Sequence, residues 1–366
     1  MRVTIEQIAE AAGTSPGTVS RVLNGRFKEN RPAVARKADK IRQIARELGY
    51  RRNNAARTMA TGRFGQVAFV TCGDLGFDWF APSLLHGIHG ALERAKSRLT
   101  LHELSGRDFD DVDELPRLFR EAAVDGMLLN IDAKLPGSIV DHFDDQPVPS
   151  VLLNTRRNTR SVYPDEFGGG RAAARHLVEL GFENVGYLMV DDNDRMLHYS
   201  RRDRAEGVAA ELDERGLSPR RRLLGVPGFQ RRTSMGVGVV GDFLDRHADL
   251  DAVVCYGPAE TSLLVTAAAL RGRRVPDDLR VLSFNDKLVH AELGVPIDTL
   301  VVPFKQIGER AVEMLYGIVD GNGGRRPEAA RVPYGRLYVA DKQEMRDLSA
   351  GEAAAESREA AAAGLP

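Results

Sequence analysis

Apolar positions in the first fifty residues recur at helical spacing. Ile5, Ile8, Ala9 and Ala12 share one helix face, with Thr4 ahead as an N-cap and Gly13 where the helix would stop. Ser15 is a second N-cap, and Pro16 falls at a first helical position, where its missing N–H costs nothing. Val19, Val22 and Leu23 make the next stripe, ended by the turn pair Asn24-Gly25. Ile41, Ile44, Ala45 and Leu48 mark a third helix that stops at Gly49, and the intervening "GRFKENRPAVARKADK" reads as a loop. Three short helices with a tight turn between the first two predict an all-α helix-turn-helix head over residues 1–50.

From Gly65 the period changes. Buried-strand runs ("GQVAFVTC", "LTLHEL", "DGMLLNI", "PSVLLNT", "NVGYLMV", "DAVVCY", "RVLSFN") alternate with helical ones ("LLHGIHGALERAKS", "LPRLFREAAV", "IVDHFDD", "GGRAAARHLVELG", "RAEGVAAELDERG", "SMGVGVVGDFLDRH", "ETSLLVTAAALRG"). Such alternation calls for parallel sheets covered on both faces. About ten strands favour two lobes, with a ligand site where the carboxyl ends of the strands of both lobes meet. The Ala/Glu-rich tail over 346–366 reads as disordered or frayed helix, without a heptad seam.

Charge sharpens the division. Residues 1–65 hold fourteen Lys and Arg against five Asp and Glu, whereas the rest of the chain holds 37 against 47. A basic head on an acidic body points to nucleic acid. No apolar run approaches the ~18 residues of a membrane span, and "MRVTIEQIAEAAG" lacks a signal-peptide core, so a cytoplasmic protein is expected. Cys72 and Cys255 sit in strand-like runs and suit buried thiols rather than a disulfide framework or metal site. The glycine run at 168–170 lacks the Gly-Lys-Ser/Thr of a phosphate loop. No nucleophile–base pair or zinc-spaced cluster stands out, so neither an enzyme nor a cofactor or metal is expected.

"VTIEQIAEAAGTSPGTVSRVLNG" followed by "LGYRRNNAARTMATGR" resembles the start of a LacI/GalR-type repressor, over nearly all of residues 2–63. The resemblance implies that Thr4, Ser15, Thr18, Ser20 and Asn24 grip phosphates. Pro16 and Gly17 take the two main base-reading positions, and Arg21 reaches the major groove. Residues 51–64 match the hinge helix, which orders when two copies meet in the minor groove: Asn53 starts it, Ala55 and Ala56 allow close approach, and Arg57 meets the groove or phosphate. Met59 is the apolar wedge where leucine is usual. Arg52 replaces the family's proline. The implied partners are a near-palindromic double-stranded operator and a second copy of the chain.

Residues 65–345 resemble, more weakly, the family's two-lobed type I periplasmic-binding-protein-like core, which binds an effector and dimerises. One lobe is expected over 65–162 and about 295–322, the other over 163–294 and about 323–345. The resemblance places Arg204 on the effector as a rigid donor fork, with Trp79 or Phe80 as a stacking ring, and Asp165 and His198 nearby. Asn285 stands where the family usually has aspartate, and Gly257-Pro258 where it has Asn-Asp. The expected function is a repressor controlled by a sugar or sugar derivative in the cleft. The alternatives are a regulator whose degenerate cleft answers to a protein partner, and a solute-binding protein.

Overall fold

The structure is a computed structural model. It describes residues 3–25, 27, 31–50, 58, 62–72, 81–104, 123–131, 148–189, 198–217, 233–288, 293–321 and 326–348. The chain forms two compact units, Met1–Phe64 and Gly65–Pro366.

The first unit holds α1 (Ile5–Ala12), α2 (Pro16–Leu23) and α3 (Pro32–Glu47) around a small core in which Ile8, Val19 and Ile41 are buried. Thr4 and Gln7 close a reciprocal capping box on α1, and Gly13 ends it in the left-handed conformation (φ 62°) that favours glycine. Ser15 caps α2 by accepting from the Thr18 amide at 3.3 Å. The loop expected before the third helix is shorter than the sequence indicated. Helix α3 begins at Pro32, so most of "RPAVARKADK" is helical, with Ala38 buried. The basic residues interrupting that stretch hid its apolar face.

The second unit contains two six-stranded sheets. The first comprises β1 (Gln66–Cys72), β2 (Arg98–Leu104), β3 (Gly126–Asn130), β4 (Ser150–Leu153), β5 (Ser161–Pro164) and β10 (Ala330–Val332), in the order β10-β5-β4-β3-β1-β2. The second comprises β6 (Val185–Leu188), β7 (Ala252–Cys255), β8 (Arg280–Asn285), β9 (Asp298–Val301), β11 (Arg336–Val339) and β12 (Glu344–Asp347), in the order β12-β11-β9-β8-β7-β6. All paired strands of the first sheet run parallel. In the second, β11 is antiparallel to both neighbours, which corrects the expectation of purely parallel sheets. Helices α4 (Pro82–Arg94) and α9 (Phe304–Val319) pack together on the first lobe. Helices α5 (Glu166–Glu179) and α6 (Tyr199–Glu214) pair on the second, as do α7 (Thr233–Arg246) and α8 (Pro258–Leu270).

Strand membership moves the expected lobe boundaries. β9 belongs to the second sheet, not to the lobe that 295–322 was assigned to, and β10 belongs to the first. β5 keeps the first lobe intact through Pro164, and β12 extends to Asp347. The chain therefore crosses between lobes after β5, after β9 and after β10. The short strands β5, β10 and β12 lack the apolar run that marks a central strand, so periodicity could not assign them.

Two buried features fix the second lobe. Glycines allow α5 and α6 to touch: a Cβ at Gly170 would lie 2.2 Å from the Arg204 carbonyl oxygen, and one at Gly207 would lie 2.1 Å from that of Phe167. Asp298, fully buried at the start of β9, accepts from Arg280 through both oxygens (2.7 and 2.8 Å), from His176 Nε2 at 3.0 Å and from the Ala340 amide at 2.9 Å. This single carboxylate ties β8, β9, α5 and the segment after β11.

Candidate functional site: the DNA-facing helix and the interlobe cleft

On α2, Ser15, Pro16, Gly17, Arg21 and Asn24 are exposed, whereas Thr18 and Ser20 are half-buried. Several of these groups are held by local bonds. Ser15 Oγ and Thr18 Oγ1 are 3.0 Å apart, Asn24 Nδ2 donates to Ser20 Oγ at 3.2 Å, and Arg21 Nε donates back to the Gly17 carbonyl at 3.3 Å. Thr4 is exposed and occupied as a cap. A Cβ added at Gly17 would have no atom within 4 Å, so nothing in the head requires glycine there. The hinge residues Asn53, Ala56, Arg57 and Met59 lie outside the described residues.

In the second unit, the carboxyl ends of both sheets bring side chains together across the lobes. Arg204, on α6, is 7% exposed, and Glu166, at the first turn of α5, is 2% exposed. Nε and Nη2 of Arg204 grip both oxygens of Glu166 at 2.5 and 2.9 Å. Nη1 donates to the Tyr256 carbonyl at 2.7 Å, and Nη2 also donates to the Tyr334 hydroxyl at 3.1 Å. Tyr334 in turn donates to Glu166 at 2.7 Å. The rings of Phe284 and Tyr256 cover the guanidinium, 4.3 and 4.8 Å from its carbon. Burial pulls the Arg204 pKa down, but the Glu166 carboxylate outweighs it and holds the guanidinium well above its ordinary value. Burial pushes the Tyr334 and Tyr256 hydroxyls up.

Glu166 lies just past the first interlobe crossing and Tyr334 between β10 and β11, on the third. The Arg204 triad therefore joins two crossings to the end of β7. Its neighbour Gly169 has no room for a side chain, since a Cβ would fall 2.6 Å from the Tyr334 ring. The glycine run at 168–170 thus serves helix packing and the Asp165 cap, not a phosphate.

A second set of contacts spans the lobes directly. His198 Nε2 lies 2.8 Å from the Asn154 carbonyl of the first lobe. A carbonyl only accepts, so Nε2 carries the proton, and in the neutral ring Nδ1 accepts. It takes the Ser200 hydroxyl at 2.6 Å and the Ser200 amide at 3.3 Å. The Ser200 proton being so used, the Tyr256 hydroxyl, 2.8 Å away, donates to Ser200. Arg156 of the first lobe pairs with Asp203 of the second and lies over the Tyr199 ring. Burial raises the Asp203 pKa, with Arg156 opposing. On the other side, Ser83 near the start of α4 donates to Asp286 of the second lobe at 3.1 Å.

The profile of the lacI family of bacterial regulatory proteins matches residues 4–53, and that of a periplasmic binding protein-like domain matches residues 174–339. The HTH-type transcriptional regulator CelR of Thermobifida fusca is 30% identical over 341 residues, spanning 87% of this chain and 93% of that protein. The chain belongs to the LacI family. This LacI-family regulator is also 26% identical over 326 residues to the HTH-type regulator DegA of Bacillus subtilis (strain 168), covering 84% and 89% of the two chains. Among solved structures, it is similar to a lac repressor dimer bound to operator and the anti-inducer ONPF (TM-score 0.68, 20% identity, 91% and 97% covered). It is also similar to a CelR–cellobiose complex (TM-score 0.59, 24% identity, 91% and 97% covered). These likenesses carry the two-lobed fold.

The protein is thus a helix-turn-helix, DNA-binding transcriptional regulator. Of the effector positions that the sequence indicated in it, Arg204 and His198 come together through Tyr256. Asp165 caps α5, accepting from the Gly168 amide at 3.2 Å, and Asn285 Oδ1 accepts from the Asp286 amide at 2.9 Å. Trp79 and Phe80 lie outside the described residues. Sequence reasoning missed Glu166, Tyr256, Tyr334, Ser200 and the Ser83–Asp286 bond. Tyr334 is 130 residues from Arg204 and no local pattern links them. No helix among the described residues is long and apolar enough to cross a membrane.

Proposed function

We propose that the protein is a dimeric repressor whose operator affinity is set by a sugar or sugar derivative bound between the lobes of the core. The cross-lobe bonds from Ser83, Asn154 and Arg156 carry this reading. They are polar, they sit where the strand ends of both lobes face each other, and a ligand entering there must exchange with them. The 30% identity to CelR, whose solved complex contains cellobiose, supports a carbohydrate. A ligand shifts the lobe equilibrium only by its differential affinity for the two arrangements, and the hinge-linked Arg204 triad offers the element to be shifted.

Operator half-sites selected from random DNA should be near-palindromic. Addition of cellobiose should then release the selected duplex, read by fluorescence anisotropy with the full chain. An operator affinity unmoved by cellobiose and by a broad set of other sugars and sugar derivatives overturns the sugar-controlled reading.

On the DNA side, Thr4, Ser15, Thr18, Ser20 and Asn24 hold phosphates and Arg21 enters the major groove. Pro16 and Gly17 present backbone and ring rather than hydrogen-bonding side chains. Glycine in an exposed helical turn costs about 0.5–1 kcal/mol against alanine. With open space around Gly17, that cost has its reason in close approach of DNA. Gly17→Ala should therefore raise the melting temperature of the head while weakening binding to the selected operator. Unchanged affinity would remove the close-approach role.

A further inference from the structure

The cleft holds carboxylates at the places where an anion would bind. Helix N-termini attract negative charge, and three helices of the second unit start beyond strand ends facing the other lobe. At α4 the N-cap is Ala81, without a side-chain cap, and the Asp286 carboxylate reaches Ser83 instead. At α5 the N-cap is Asp165, followed by Glu166. At α8 the N-cap Gly257 offers no side-chain bond, and buried Glu260 lies in the first turn.

The cations are already spent. Four of the five N–H groups of Arg204 are bonded to Glu166, Tyr256 and Tyr334, and both faces of its plane are covered by rings. The one N–H left can serve a single hydroxyl but not the two-pronged grip that a carboxylate or phosphate takes from arginine. An incoming anion would have to displace Glu166 and leave that carboxylate buried without its partner. Arg156 is paired with Asp203.

The groups with spare capacity are uncharged. Among the described residues, Asn154 Oδ1 and Thr71 Oγ1, both at the carboxyl edge of the first sheet, and the Tyr199 hydroxyl are buried without a hydrogen-bond partner. Asn154 Oδ1 can only accept, so it asks for a donor. A sugar hydroxyl donates; a phosphate dianion or a carboxylate does not. Asn154 is also held in the left-handed region (φ 53°), which turns its carbonyl to His198 across the cleft.

We infer that the cleft selects an uncharged, hydroxyl-rich ligand over its anionic counterparts, and that Glu166, by filling Arg204, is the residue that sets this preference. The inference rests on the reading of the cleft as an effector site. Equilibrium titrations of the full chain with matched pairs test it: cellobiose and cellobionate, glucose and glucose 6-phosphate, galactose and galacturonate. A neutral member should bind and its charged counterpart should bind about 100-fold more weakly or not at all. A charged member that binds as tightly as its neutral partner overturns the inference and leaves the effector reading standing. Binding by no member of any pair counts against both, and operator release by some other compound would then rescue only the effector reading. Glu166→Gln should raise affinity for the charged members about tenfold, because Arg204 is left without its counter-charge. Asp286→Asn should move the same ratio in the same direction, and it supplies the mutant arm if Glu166→Gln does not fold. A charged-to-neutral ratio unmoved in Glu166→Gln removes the role assigned to Glu166.

Discussion

Removing residues 1–64 is expected to abolish operator binding and leave a folded core. The cut falls between the two compact units, immediately before Gly65. The cores on either side share no residue: Ile8, Val19 and Ile41 pack with the head, and Val67 and Phe69 with the lobes. Gly65 itself belongs to the core, its amide donating to Asp125 at 2.8 Å. Every group proposed to touch DNA is lost with the head. The remaining chain carries 37 Lys and Arg against 47 Asp and Glu, and that net negative charge repels the phosphate backbone instead of replacing lost contacts. Anisotropy with the selected operator and a cooperative thermal melt of the fragment read the two halves. Retained sequence-specific binding would move the recognition surface out of the head.

Asp298→Ala is expected to destabilise the core by about 3–5 kcal/mol, the scale for stranding one partner of a buried ion pair. Asp298 is fully buried and Arg280 is 5% exposed, so water cannot take over the lost bonds. Arg280 loses both of its bonds to Asp298 and keeps the one to Asp341, at 3.1 Å. The Ala340 amide and His176 lose their acceptor at the same time. A domain of this size shifts by about 2 °C or more per kcal/mol, so the melting temperature should fall on the order of 10 °C. Asp298→Asn keeps the shape and removes the charge; a loss as large in that variant assigns the effect to the charge rather than to the cavity. A fall of only a degree or two in Asp298→Ala would show that the lobes do not depend on this carboxylate.

The head was legible almost residue by residue because its determinants are local. Caps, turns and helical stripes occupy adjacent positions, and Thr4, Gly13, Ser15 and Pro16 do in the structure what their spacing indicates. The start of α3 was missed because basic residues interrupt its apolar face.

In the core, the strand and helix runs were equally readable, but their membership was not. Asp298 reads as the polar end of a short strand, yet it is the hub of a buried network whose members come from β8, α5 and the segment after β11. Arg204 reads as a free donor fork. The fold instead gives it Glu166, 38 residues earlier, and Tyr334, 130 residues later, because the chain crosses three times between lobes and brings two crossings against α6. The sequence by itself therefore determined the elements, the basic head, the acidic body and the family resemblance, all of which are properties of neighbouring residues or of summed charge. Only the tertiary structure decided which lobe owns β9 and β10, and that the arginine of the cleft is already occupied. Hydrogen bonding over a few ångströms depends on chain crossings that no local period encodes.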